Sequence, residues 1–179
     1  DSSEGIENLF KALKICKISL LKSKIENSNL DRYYGGLIAD YLKNNKSLIH
    51  LDLSNNCYST GSYKILQSLN DNKNLKTLDL SGNGLKTKNI LSLEFCQNTK
   101  IEYLNLSNNE LKGTKCIGNF IQINPKLITL DLRNNVISDI TPIIESALKC
   151  HLKNLYLSNN KIKKLPVELS KSKTITDFL

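Results

Sequence analysis

The chain has 179 residues, 40% of them hydrophobic, which suits one folded domain with a real core and excludes a disordered segment. Its apolar runs are only a few residues long, as in Ile18-Ser19-Leu20-Leu21, so nothing reads as a membrane-spanning helix, and the acidic opening DSSEGIENLF lacks a charged-then-apolar signal pattern. The formal charge is +8, but every basic residue except Arg32 and Arg133 is lysine and asparagine is also abundant, so the excess is by itself no argument for a nucleic-acid partner.

Along the chain, Ile6, Leu9, Phe10 and Leu13 have helical spacing and predict an amphipathic capping helix over residues 1–14. Six repeats are then read over 15–174. Five share the template L-x-x-L-x-L-x-x-N-x-L: LIHLDLSNNCY (48–58), LKTLDLSGNGL (75–85), IEYLNLSNNEL (101–111), LITLDLRNNVI (127–137) and LKNLYLSNNKI (152–162). A weaker copy, ICKISLLKSKI (15–25), precedes them with Ser23 in the Asn position, and residues 175–179 begin a truncated repeat or cap. First positions fall at 15, 48, 75, 101, 127, 152 and 175, each interval holding one short strand and one return path.

Within the template, alternation sends Leu51 and Leu53 to one side of the strand and His50, Asp52 and Ser54 to the other. Stacked copies would form a parallel sheet, with the Leu/Ile positions building a core that no single repeat could bury. The asparagines 56, 83, 109, 135 and 160 sit where the chain leaves the strand, and are expected to bond backbone groups of neighbouring turns. Return paths carrying Leu30, Tyr34, Leu37, Ile38, Tyr41 and Leu42, then Ile65, Leu66 and Leu69, then Cys116, Ile117, Phe120 and Ile121 read as helices. Another opens near Pro142, which the first turn of a helix tolerates. The last path, Ile162 to Leu169, is too short for a long helix and reads as extended or a single tight turn.

These motifs resemble the leucine-rich-repeat superfamily over residues 15–179. The segment from Ala39 to Asn56 is similar to its ribonuclease-inhibitor-like subclass, which includes sensing modules of NOD-like receptors, tropomodulins and Ran GTPase-activating proteins. The repeats run slightly shorter than that subclass, and LPVEL looks like the shorter, typical class. The resemblance implies an α/β right-handed solenoid, parallel sheet concave and helices convex, that serves as a non-catalytic protein-binding scaffold. It also implies two narrower possibilities: a Ran-type GTPase activator using Arg32, or a tropomodulin-like cytoskeletal adaptor.

Five cysteines (16, 57, 96, 116 and 150) are spread along the chain with no C-x-x-C pair, which points to reduced, buried hydrophobes and an intracellular, cytoplasmic protein. No phosphate loop, H-E-x-x-H or nucleophile–His pair is present, so neither an enzyme, a cofactor nor a metal site is expected. The exposed strand columns are expected to be Lys17, His50, Thr77, Tyr103, Thr129, Asn154; then Ser19, Asp52, Asp79, Asn105, Asp131, Tyr156; then Leu21, Ser54, Ser81, Ser107, Arg133, Ser158. Tyr103, Asp131, Arg133 and Tyr156 break the repeat consensus on three adjacent strands and are the candidate partner-binding patch, since Tyr and Arg dominate interface hot spots. Lysines also recur before the strands. Lys46, Lys73, Lys100 and Lys126 form a possible polyanion rim, although a cation there also suits the negative end of a helix. Asp52, Asp79 and Asp131 oppose nucleic acid lying across the sheet, so the expected partner is a protein and the chain a monomer.

Overall fold

A computed structural model describes residues 4, 5, 8, 22–24, 32–56, 61–98, 100–171 and 177–178. The capping helix expected over 1–14 falls almost wholly outside the described residues.

Seven short strands pair in chain order into one parallel sheet: β1 (Lys22–Lys24), β2 (His50–Asp52), β3 (Thr77–Asp79), β4 (Tyr103–Asn105), β5 (Thr129–Asp131), β6 (Asn154–Tyr156) and β7 (Asp177–Phe178). Among the described residues, four α-helices return the chain between strands: α1 (Arg32–Asn44), α2 (Ser62–Ser68), α3 (Lys115–Ile123) and α4 (Thr141–Ala147). Between β3 and β4 the return is a 3-10 helix, Thr87–Phe95, whose tighter winding stacks Ile90 over Leu93 and buries both. The last return, Val167–Lys171, is a single 3-10 stretch, as its length dictates. Helical segments pack each on the next, giving one helical layer against one sheet.

Between the layers lies the core. Leu51, Leu78, Leu104, Leu130 and Leu155 form one row across the sheet, and Leu53, Leu80, Leu106, Leu132 and Leu157 a second. Ile38 and Leu42 of α1, Ile65 and Leu66 of α2, Phe120 of α3 and Ile143 of α4 meet them from the helices. Two glycines let neighbouring helical segments approach: a Cβ on Gly35 would lie 2.5 Å from Cα of Gly61, and one on Gly118 would lie 2.5 Å from the Pro142 carbonyl oxygen.

Where the chain leaves each strand, two residues divide the labour. The first adopts left-handed backbone: Asn55, Asn108 and Asn134 at φ 55°, Asn159 at 57° and Gly82 at 66°. Asn and Gly tolerate that region best. The second is the ladder asparagine expected from the repeat. Asn109 accepts from the backbone N–H of Asn83 and Leu85 and donates to the carbonyls of Leu80, Leu106 and Ser107. Asn135 repeats the pattern one turn on, donating to Leu106 and Leu132 and accepting from Leu111.

A second asparagine ladder, not anticipated from the sequence, runs along the opposite end of the strands. Asn98 accepts from the N–H of Lys100 and Ile101 and donates back to the carbonyls of Leu69 and Asn72. Asn45, Asn72 and Asn124 hold equivalent places, each three residues before the first Leu of a strand motif.

One expected register is corrected. β1 sets Lys22 beside His50 and Ser23 beside Leu51, so the strand lies five residues beyond the expected Lys17, Ser19 and Leu21 frame. The motif then starts at Leu20, 28 residues before Leu48, in keeping with the other intervals, whereas the expected frame required an outlying 33.

Candidate functional site

On the sheet face turned away from the helices, strand pairing aligns His50, Thr77, Tyr103, Thr129 and Asn154 in one row, and Asp52, Asp79, Asn105, Asp131 and Tyr156 in the next. Strand neighbours sit about 4.8 Å apart, so the four residues singled out on β4, β5 and β6 share a short arc. Three of them touch. Arg133 donates from Nε to both carboxylate oxygens of Asp131 at 3.1 Å and from Nη2 to Oδ2 at 2.6 Å. The same guanidinium lies over the Tyr156 ring, 5.1 Å from its centroid, a cation–π placement.

Asp131 is not the exposed contact residue that alternation suggests. It is 1% exposed, because Arg133, two residues on, folds back across it while the Arg133 backbone N–H donates to the same carboxylate. Asp131 therefore holds Arg133 in place. The bond to its carboxylate raises the arginine's pKa further, with the charge of Asp131 adding to the effect. Tyr103 is half-buried on the adjacent strand β4, and its hydroxyl pKa is raised by burial first and by the charges of Asp79 and Asp131 after that, with Arg133 pulling the other way.

Next to Tyr103 the face sinks into a hollow of about 350 Å³ lined by His50, Leu51, Asp52, Thr77, Asp79 and Tyr103. His50 Nδ1 lies 2.9 Å from Thr77 Oγ1, and Asp79 is engaged by Ser81 and by Asn105 Nδ2 at 2.8 Å. Repeat consensus hides this hollow in the sequence, since Asp52 and Asp79 read as filler there.

Lys46, Lys73, Lys100 and Lys126 are all exposed at the end of the sheet where the strands begin. Lys73 donates to the Gln97 carbonyl at 3.0 Å, so at least one of them has a structural bond. Arg32 is the first residue of α1.

A family model for leucine-rich repeats in two copies matches residues 125–171, and a second leucine-rich-repeat model matches residues 71–88 and 97–114. The chain carries leucine-rich repeats over these residues. These matches fall on the β3-to-β6 repeats, the stretch that carries Tyr103, Asp131, Arg133 and Tyr156. No curated protein matches the chain. Among solved structures it is similar to leiomodin-1 actin-binding site 2, with a TM-score of 0.65 and 19% sequence identity over 76% of this chain and 82% of that one. At that identity the likeness is one of fold. Among the described residues of this leucine-rich-repeat chain, no helix is long and apolar enough to cross a membrane.

Proposed function

We propose that the protein is a non-catalytic interaction module that holds a partner protein on the open face of its sheet, at Tyr103, Arg133 and Tyr156. The observation that carries this reading is the fixed guanidinium: Asp131 below and Tyr156 beside it hold Arg133 in place before any partner arrives. A pre-ordered arginine between two tyrosines loses little side-chain entropy on binding, which is what makes such residues hot spots. The hollow beside Tyr103 extends the same surface and could accept a protruding side chain.

The test is affinity capture from the source cell's lysate with wild type and with Tyr103→Ala/Tyr156→Ala, followed by titration of the captured partner. A partner weakened by more than about 2 kcal/mol in the double variant supports the site, because that is the loss expected from truncating hot-spot residues. Equal affinity for both proteins rejects it.

The fold likeness to leiomodin-1 actin-binding site 2 supports a second, narrower reading, a tropomodulin-like cytoskeletal adaptor. Co-sedimentation with actin filaments and a monomer-binding titration decide it; absence of binding in both removes actin as the partner.

A further inference from the structure

At the end of the sheet where the strands begin, the backbone bonds from Glu102 N–H to the Lys76 carbonyl, from Ile128 N–H to Glu102 and from Lys153 N–H to Ile128 set these four residues in one line across β3 to β6. Glu102 is already neutralised, since Lys76 Nζ lies 2.9 Å from its Oε1. Beyond it the line becomes apolar and then cationic. Ile128 is exposed, although it is a large hydrophobic residue. Around it lies a hollow of about 340 Å³ whose lining is Pro125, Lys126, Ile128, His151 and Lys153. No carboxylate lines it, and no ion pair engages Lys126 or Lys153 among the described residues.

We infer that this hollow docks an acidic segment of a partner protein, one that places an apolar side chain against Ile128 and Pro125 and sets carboxylates against Lys126 and Lys153. Charge complementarity selects the class of partner: two lysines line the hollow together with Ile128 and Pro125, and lysine methylene stems can extend an apolar floor. A nucleic acid fits less well. Its phosphates would need a continuous cationic track, and the Lys76–Glu102 pair interrupts the line one strand away. No Phe, Tyr or Trp lines the hollow to stack a base. This site is separate from the sheet-face patch, so the two readings stand or fall independently.

The probe is a short fluorescein-labelled peptide of aspartate and glutamate around one central leucine, titrated by fluorescence anisotropy. The wild type should bind it, and Lys126→Glu/Lys153→Glu should weaken it by about tenfold or more, since charge reversal turns attraction into repulsion at both ends. Replacing the peptide's leucine by alanine should cost about fivefold or more, the share of a buried aliphatic side chain. Tyr103→Ala/Tyr156→Ala should leave the peptide's affinity unchanged. Both lysines are exposed, so the fold should survive reversal, with circular dichroism as the check and Lys126→Gln/Lys153→Gln expected to give an intermediate loss. Equal binding by wild type and the charge-reversed protein overturns the inference. So does indifference to the leucine, which would mark a bare polyanion site, or tighter binding of a single-stranded oligonucleotide or of phosphatidylserine vesicles.

Discussion

Arg133, two residues beyond the end of β5, closes over Asp131, the last residue of that strand, with Nη2 2.6 Å from Oδ2, and leaves that carboxylate 2% exposed. The pair makes a prediction about position rather than contact. Asp131→Asn keeps the shape but removes the charge that clamps the guanidinium, so Arg133 should lose its place over Tyr156. In proton NMR the Arg133 side-chain Nε–H should exchange slowly in the wild type and rapidly in the variant. Partner binding should weaken in Asp131→Asn and in Arg133→Ala by amounts that do not add in the double variant, because both remove one preformed contact. Additive losses would show that Asp131 meets the partner itself.

Asn109 offers the sharpest stability test. Its side chain satisfies two backbone donors and three backbone carbonyls inside the turn column. Asn109→Ala strands the N–H groups of Asn83 and Leu85, and each unsatisfied buried group costs about 1–3 kcal/mol. A loss of at least about 3 kcal/mol in urea unfolding is therefore expected. Asn108→Ala, one residue earlier, should cost less, about 1 kcal/mol, since it forces alanine into left-handed backbone at φ 55° and removes one part-buried bond, to Ser107 Oγ at 3.2 Å, while leaving the backbone donors satisfied. The reverse order would mean the ladder bonds are not what holds the turns.

These asparagines show why much of the architecture was legible before any coordinates. Each repeat carries its own copy of the rule, so a five-fold recurrence of Leu and Asn at fixed offsets outweighs any local ambiguity. The second ladder is equally periodic, because Asn45, Asn72, Asn98 and Asn124 each stand three residues before a strand motif's first aliphatic, but the recurring lysines that follow mask it in the sequence. β1 resisted because ICKISLLKSKI fits the template in one frame while the sheet uses another, one that places Ser23 in register with Leu51 at the head of a leucine row. In the candidate site, alternation correctly aligned Tyr103, Asp131 and Tyr156 on the open face. It could not foresee that a long neighbouring side chain would bury Asp131, because alternation describes backbone direction and says nothing of what lies over a residue.

Helix packing yields a third expectation. Gly118 on α3 faces the first turn of α4, where the Pro142 carbonyl also accepts from Ser146 Oγ at 2.9 Å. The Cβ of Gly118→Ala would stand 2.5 Å from that oxygen and 3.0 Å from its carbon, so the two helices must part. Overpacking of this kind costs about 1–3 kcal/mol even though alanine is the better helix former. Gly84→Ala is the contrast: nothing lies within 4 Å of its added Cβ, and only its φ of 62° opposes the change. Thermal unfolding should place Gly118→Ala below Gly84→Ala; equal melting temperatures would mean α3 and α4 have slack.

Burial raises the Cys96 thiol to about 12, against the smaller opposing charge of Lys73, and raises Cys116 to about 11. Both are enclosed in the core, with Cys96 Sγ donating to the Leu66 carbonyl. In the folded state these groups hold their protons to higher pH than in the unfolded chain, whose thiols titrate near 9.0. The unfolded state therefore binds fewer protons above that value, and stability should be fully present below about pH 9 and decline as pH rises towards 11 and 12. Urea midpoints measured from pH 7.5 to 10.5 should fall, and the fall should be shallower in Cys96→Ala, which removes one of the coupled protons. Alkylation at pH 8 read by site-resolved mass spectrometry should mark the half-buried Cys150 well before Cys96 or Cys116, since only the thiolate reacts and burial suppresses it. An unchanged pH slope in Cys96→Ala, or early labelling of Cys96, would mean the helical layer opens over that thiol far more readily than its packing implies.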